Sequence, residues 1–125
     1  MSREYFIRNL EGTLYYKDLP LFEFKIKNRE LVYNKDLSNQ KMWPVEPKVY
    51  GLSYRTINDF FRRRVVQDNA MMLKEYLDDM GLPYYDFEEL IKKNNGSSHD
   101  FFWLKFNDLG AKNFSEICTQ SYPIY

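Results

Sequence analysis

Apolar and charged residues alternate most regularly in one stretch near the start of the chain. Phe22, Phe24 and Ile26 occupy every second position, with Glu23 and Lys25 between them. This period of two, with charges on the opposite side, predicts a strand with one buried and one solvated face. Shorter β-prone runs lie before it, at 13–17, and after it, at 30–33. The pattern therefore predicts a small antiparallel meander over residues 5–34, with a turn at residues 9–12.

Residues 35–52 follow without a clear period. Pro44 and Pro47 bracket part of this segment, and prolines are expected to exclude a regular helix there. The segment is therefore predicted to be an irregular loop. Trp43 within it is predicted to cover the open end of the core. The alternative is that Trp43 contacts a partner from this loop.

From residue 53 to residue 95 the apolar spacing changes to three and four residues, which predicts three helices. The predicted bounds are 54–64 with Ser53 as N-cap, 69–80 with Asp68 as N-cap, and 87–94 with Asp86 as N-cap. The inward residues are predicted to be Ile57, Phe60 and Phe61 on the first helix, Met72, Leu73, Tyr76, Leu77 and Met80 on the second, and Phe87, Leu90 and Ile91 on the third.

The last strongly apolar run lies at residues 101–106 and contains Trp103. Its aromatic content favours a late strand that returns to the meander over the alternative, the end of a helix. The whole chain is then an α+β fold in one domain, residues 1–125. Its parts are the meander (1–34), the loop (35–52), the helical part (53–95), and the apolar segment with the tail (96–125).

Charge and cysteine content narrow the class of protein. Eighteen basic and eighteen acidic residues cancel, which argues against a protein that coats DNA and against an acidic DNA mimic. Cys118 is the single cysteine, so no internal disulfide can form, and a reducing cytoplasm is expected. The polar N-terminus and the absence of an apolar run of about 20 residues predict neither a signal peptide nor a membrane span.

Motifs for catalysis are missing from the sequence. It has no glycine-rich phosphate loop, no nucleophile elbow and no spacing of His and Cys suited to zinc. His99 is interpreted as a polar turn residue, and Cys118 as a small, partly buried residue. We therefore expect a protein that is not an enzyme and that binds no metal or cofactor.

Three consecutive arginines, Arg62, Arg63 and Arg64, end the first predicted helix. Helical positions are 100° apart, so these side chains fan over roughly 200° and cannot all follow one phosphate backbone. One of them is expected to pack its stem along the core margin. Because exposed arginine and aromatic residues are the usual contact residues of interfaces, the predicted partner-binding residues are Trp43, Tyr54, Arg62 and Arg63.

The order of these parts resembles a known module. Lys17-Asp18-Leu19-Pro20 lies in the meander, and Val32-Tyr33-Asn34 closes it. Arg55-Thr56 with Asn58-Asp59-Phe60-Phe61 follows on a helix, then Met80-Gly81-Leu82, and finally Ser98, Asp100 and Phe102-Trp103. This arrangement resembles the small N-terminal module that precedes the kinase domain in HipA-like proteins of Gram-positive bacteria. The resemblance spans residues 14–106, and the sequence given has no segment that matches the kinase domain.

The resemblance implies a non-catalytic binding module that docks on a separate HipA-type kinase, as an antitoxin-like protein does. One alternative is an inhibitor of a host defence nuclease, carried by a phage or mobile element and similar in role to an anti-CRISPR protein. A second alternative is nucleic-acid binding through the helices that carry Arg55 and Lys74. The sequence leaves these three functions open.

Overall fold

The computed structural model of the chain describes residues 5–65, 68, 70–97, 101–106 and 112–115. Within these residues the chain forms an α+β fold, as predicted, with four strands and four helices. Their bounds are β1 Leu10–Tyr16, β2 Leu19–Lys27, β3 Glu30–Asp36, α1 Val45–Tyr50, α2 Tyr54–Arg62, α3 Leu73–Asp79, α4 Phe87–Lys93 and β4 Phe102–Lys105. His99 and Cys118 lie outside the described residues.

The strands form one antiparallel sheet in the order β3-β2-β1-β4. Asn28 and Arg29 connect β2 to β3, and both have positive φ angles, 52° and 63°. Two such residues give the turn whose twist matches that of the flanking strands. β4 pairs with the free side of β1, so the predicted late strand that returns to the meander is confirmed.

The buried face of the sheet follows the alternation seen in the sequence. Phe22, Phe24 and Ile26 of β2 are buried, whereas Lys25 and Lys27 point to solvent. The aromatic ring of Phe24 lies 6.1 Å from that of Phe61 on α2, so the sheet and this helix share one core. The other elements add the remaining buried core residues, which include Leu10, Leu14, Ile57, Leu77, Phe87, Leu90, Ile91 and Leu104.

The turn predicted at residues 9–12 is wrong, because β1 already begins at Leu10. Gly12 is part of this strand, and its lack of a side chain has a packing reason. A Cβ atom at Gly12 would lie 2.8 Å from the carbonyl oxygen of Lys105 and 3.0 Å from a methyl carbon of Leu104. The glycine therefore marks the close approach of β4 rather than a chain reversal.

The irregular loop predicted for residues 35–52 is wrong in its second half, where α1 forms. Pro44 is the N-cap of α1 and Pro47 lies in its first turn. Backbone N–H groups in a first helical turn have no partner within the helix, so proline costs no hydrogen bond there. The helix ends at Gly51, whose N–H donates to the carbonyl of Pro47 and whose φ angle is 88°.

The beginning of α2 is set by the predicted cap. The side chain of Ser53 accepts a hydrogen bond from the N–H of Thr56, and the side chain of Thr56 accepts one from the N–H of Ser53. This reciprocal capping box satisfies two N–H groups that would otherwise lack partners. Ile57 and Phe61 are buried as expected, and Phe60 is partly buried.

The cap predicted for the second helix is wrong, because α3 begins only after Met72. Asp68 instead accepts a hydrogen bond from the hydroxyl of Tyr5. Met72 has a φ angle of 58° and is exposed, although its position suggested an inward residue. A left-handed residue cannot continue a helix upstream, so α3 is shorter than its apolar period indicated.

The third predicted helix, α4, begins as expected at Asp86, whose side chain accepts a hydrogen bond from the N–H of Glu89. Asn95 and Gly96 end it with φ angles of 52° and 60°. The N–H of Gly96 donates to the carbonyl of Ile91, which closes the last turn.

Arg64, just beyond the end of α2, is a buried cation with 5% of its surface exposed. Its Nε donates to the carbonyl oxygen of Gly96 at 2.7 Å, and one of its terminal nitrogens donates to that of Phe102 at 2.9 Å. The guanidinium lies 4.6 Å from the centre of the Phe60 ring, within cation–π range. Arg64 is therefore the arginine expected to pack along the core, and it joins α2 to α4 and β4.

We expect Arg64→Met to lower the free energy of unfolding by about 2–4 kcal/mol, because it leaves one buried and one partly buried carbonyl group without their charged donor. Arg63→Met is the matched control. Its side chain is mostly exposed and makes a surface ion pair, so a loss below about 1 kcal/mol is expected. Urea unfolding followed by circular dichroism measures both values. Equal losses for the two variants would show that Arg64 does not link these elements.

Candidate protein-docking face

The helices α1 and α2 pack side by side and are tied together at both ends of α1. The hydroxyl of Thr56 on α2 donates to the carbonyl oxygen of Gly51 at 3.0 Å, just after α1 ends. Near the other end of α1, the carboxylate of Glu46 forms an ion pair with the guanidinium of Arg63. These contacts fix the position of α1 on the outer side of α2.

Two shallow grooves run between these helices. The larger has a volume of about 510 Å³, and its lining includes Tyr50, Arg55 and Asp59. The smaller has a volume of about 310 Å³, and its lining includes Val45, Phe60 and Phe102. Glu46 and Arg63 line both grooves, so their ion pair lies where the two grooves meet.

The surface around the grooves carries large apolar side chains that remain in solvent. Val49 is 65% exposed and Tyr50 is 77% exposed, and Val45 is also exposed. Val45 and Val49 are four residues apart on α1 and therefore lie on one side of it. We call the surface formed by Val45, Glu46, Val49, Tyr50 and Arg63 the α1–α2 face. It combines exposed apolar groups with one paired arginine, a composition typical of protein interfaces.

The structure places the three consecutive arginines in three environments. Arg63 lies on the α1–α2 face, paired with Glu46, and Arg64 is buried. Arg62 is partly buried on the other side of α2, close to Tyr85. Burial raises the pKa of Tyr85, and the charge of Arg62 partly opposes this effect. The fan expected from helical geometry is thus present. Arg63 lines both grooves, whereas Arg64 reaches only the smaller one.

Tyr54 and Trp43 lie away from the α1–α2 face. The hydroxyl of Tyr54 donates to the carbonyl oxygen of Ile7 at 2.8 Å and so ties α2 to the segment before β1. Trp43 is only 8% exposed, its ring nitrogen donates to the carbonyl oxygen of Leu21 at 3.2 Å, and its ring packs edge-on against Phe22. The burial of Trp43 agrees with its predicted place over the end of the core.

Sequence reasoning missed the apolar part of the face, Val45, Val49 and Tyr50. These residues belong to the segment that was predicted to be irregular. The usable signal was the position of the two prolines, since Pro44 and Pro47 suit the cap and first turn of a helix. With a helix beginning there, the four-residue spacing of Val45 and Val49 identifies an apolar side.

The described residues were also searched for metal sites and membrane-spanning helices. No group of three His, Cys, Asp or Glu side chains in the described part of the chain could hold a metal ion. Among the same residues, no helix is long and apolar enough to cross a membrane. Comparison of the chain with protein-family models, with curated proteins and with solved structures finds no match in any of the three.

The Tyr54 hydroxyl gives a pH-dependent test of the contact with Ile7. Burial is the main cause that raises the pKa of Tyr54 above its usual value, the Glu88 carboxylate adds to this effect, and the Arg29 guanidinium opposes it. The folded state therefore favours the neutral hydroxyl. Its contribution to stability is present below the ordinary tyrosine pKa of 10.0 and is lost as the pH rises above it.

We expect Tyr54→Phe to lower the free energy of unfolding by about 1 kcal/mol at pH 7, since one hydrogen bond is lost. The difference from the wild type should shrink above about pH 10, because the wild type then loses the same contribution. Urea unfolding at pH 7 and at a series of pH values above about 9 measures it. Tyr50→Phe, on an exposed ring, is the control and should not change the free energy of unfolding at any of these pH values.

Proposed function

We propose that this chain is a non-catalytic protein-binding module that docks on its partner through the α1–α2 face. The observation that carries the proposal is the cluster of exposed Val45, Val49 and Tyr50 beside the Glu46–Arg63 pair. Exposed apolar side chains in one patch lower the free energy of a complex when a partner removes them from water. An arginine at the edge of such a patch adds directional hydrogen bonds.

The partner class that we propose is a HipA-type kinase, and the module would act on it as an antitoxin-like protein. Support for this class comes from the sequence resemblance to the N-terminal module of HipA-like proteins. Its Arg55-Thr56 and Asn58-Asp59-Phe60-Phe61 motifs lie on α2, where Asn58 and Phe61 are buried and Arg55 is exposed. The resembling motifs therefore include both scaffold residues and residues next to the face.

Nucleic acid is a poorer occupant of this face. Arg63 is already paired with Glu46, and Arg55 lies 3.8 Å from the carboxylate of Asp59. A phosphate backbone would have to compete with these carboxylates, and the chain has no net charge to attract it from a distance. A protein surface can accept the paired charges together with the apolar groups.

We expect Tyr50→Asp to weaken binding to a HipA-type kinase from the same genome by at least about tenfold, because it puts a charge into the apolar contact. Isothermal titration calorimetry measures the affinity, and circular dichroism checks the fold. Tyr84→Asp is the matched control, since Tyr84 is also an exposed tyrosine but lies outside the face. Its affinity should stay within about twofold of the wild type.

Failure of the wild-type chain to bind the kinase in this titration would overturn the proposed partner. Equal losses for Tyr50→Asp and Tyr84→Asp would overturn the proposed face. Binding to a defence nuclease instead of the kinase would move the function to the inhibitor class, with the same pair of variants deciding whether the face is used.

A further inference from the structure

The edge of the sheet formed by β3 has no strand beside it in the described part of the chain. Except for the partly buried Leu31, all residues of β3 are exposed, and they include two large apolar side chains, Val32 at 53% and Tyr33 at 41%. An open edge presents backbone N–H and C=O groups that can pair with another strand. The question is which strand its side chains would accept.

A bulge in β3 determines which side chains share a face. Ile26 pairs with Leu31 and Lys25 pairs with Tyr33, so Val32 is an extra residue in β3. Glu30 pairs with Lys27 before the bulge, and Lys35 pairs with Glu23 after it. In a regular strand, positions 30 and 35 would point to opposite faces, because their spacing is odd. The bulge puts both on the face that carries Lys25 and Lys27, away from the helices.

We propose that β3 is a self-association edge, which pairs antiparallel with β3 of a second copy of this chain about a two-fold axis. In the register that places Glu30 opposite Lys35 of the second copy, Leu31 lies opposite Asn34. Both of these pairs then join residues of the same face, and symmetry repeats each pair. Val32 meets Tyr33 of the second copy at the axis, an aromatic and β-branched pair of the kind that stabilises neighbouring strands.

Charge complementarity selects this register. Along the row of outward-facing side chains, Lys27 is followed by Glu30, then by Lys35 of the second copy and by its Glu23. The signs alternate across all four strands of the joined hairpins. Shifting one copy by one residue would place Glu30 opposite either Asn34 or Asp36, on mismatched faces, and would remove the opposite-charge pairs. The second copy is therefore the occupant that the sequence of this edge fits.

The competing interpretation is that the charges and the bulge protect the edge from pairing, as they do in many sheets. The two interpretations differ in the response to charge reversal. If the charges only protect the edge, then reversing one of them changes solubility but creates no specific complex. If the charges define a register, then a single charge reversal must abolish the dimer, and a complementary second reversal must restore it.

The test uses the full chain, the variants Glu30→Lys and Lys35→Glu, and sedimentation equilibrium. The interface is small, so we expect a weak wild-type dimer, with a dissociation constant on the order of 10–100 μM. Each single variant places like charges opposite each other twice and should be monomeric at loadings up to about 500 μM. An equimolar mixture of the two variants should form a heterodimer at least as tight as the wild-type dimer, because every such pair is then of opposite sign.

The double variant Glu30→Lys/Lys35→Glu should dimerise again, and circular dichroism of each variant checks that its fold is retained. Tyr84→Asp, an exposed change away from the edge, is the control and should dimerise like the wild type. A monomeric wild type at the highest loading would overturn the proposal. So would single variants that dimerise like the wild type, or a mixture of single variants that stays monomeric.

Discussion

The buried guanidinium of Arg64 is the interaction on which the arrangement of the helices depends. It donates to the carbonyl of Gly96, in the turn after α4, and to that of Phe102, at the start of β4. The same turn is held from its other side, because the side chain of Asn95 donates to the carbonyl of Leu104 and its own carbonyl accepts from the N–H of Leu104. The end of α2, the end of α4 and β4 thus meet in one polar cluster inside an apolar core.

The burial of the Arg64 guanidinium also determines the direction of the neighbouring Arg63 side chain. Successive helical positions differ by 100°, so an inward Arg64 turns Arg63 towards the outer side of α2. Glu46 meets it there and holds α1 against α2. Because α1 is short and its other side faces water, Val45 and Val49 remain exposed. The exposed apolar surface of α1 is in this sense a consequence of the burial of Arg64, just beyond the end of α2.

Local patterns were sufficient for much of the fold. The alternation in β2 and the caps Ser53 and Asp86 each involve neighbours within a few residues, and these features were predicted. The start of α3 was not predicted correctly, because it depends on the left-handed backbone of Met72. The spacing of apolar residues does not reveal such a backbone conformation. The late strand was predicted from composition, but its partner β1 could be named only as part of the meander.

The candidate site was less accessible from sequence. Of the four predicted contact residues, only Arg63 lies on the α1–α2 face. Trp43 and Tyr54 instead donate hydrogen bonds to the carbonyls of Leu21 and Ile7, respectively, which lie far away along the chain. No local rule indicates such bonds. The apolar residues that remain exposed on the face, Val45, Val49 and Tyr50, belong to α1, a helix that its two prolines made hard to predict.

Gly12 has a consequence for how the sheet can assemble. The pairing of β1 with β4 joins segments from opposite ends of the described chain, so it has a high entropic cost of closure and is expected to form late. A slip of two residues would keep the same face inward but would bring Leu10 or Leu14 to the place where only a hydrogen atom fits against Lys105 and Leu104. The missing side chain at Gly12 therefore selects the register by steric exclusion in β1–β4, the one pair of the described sheet whose strands no short turn connects.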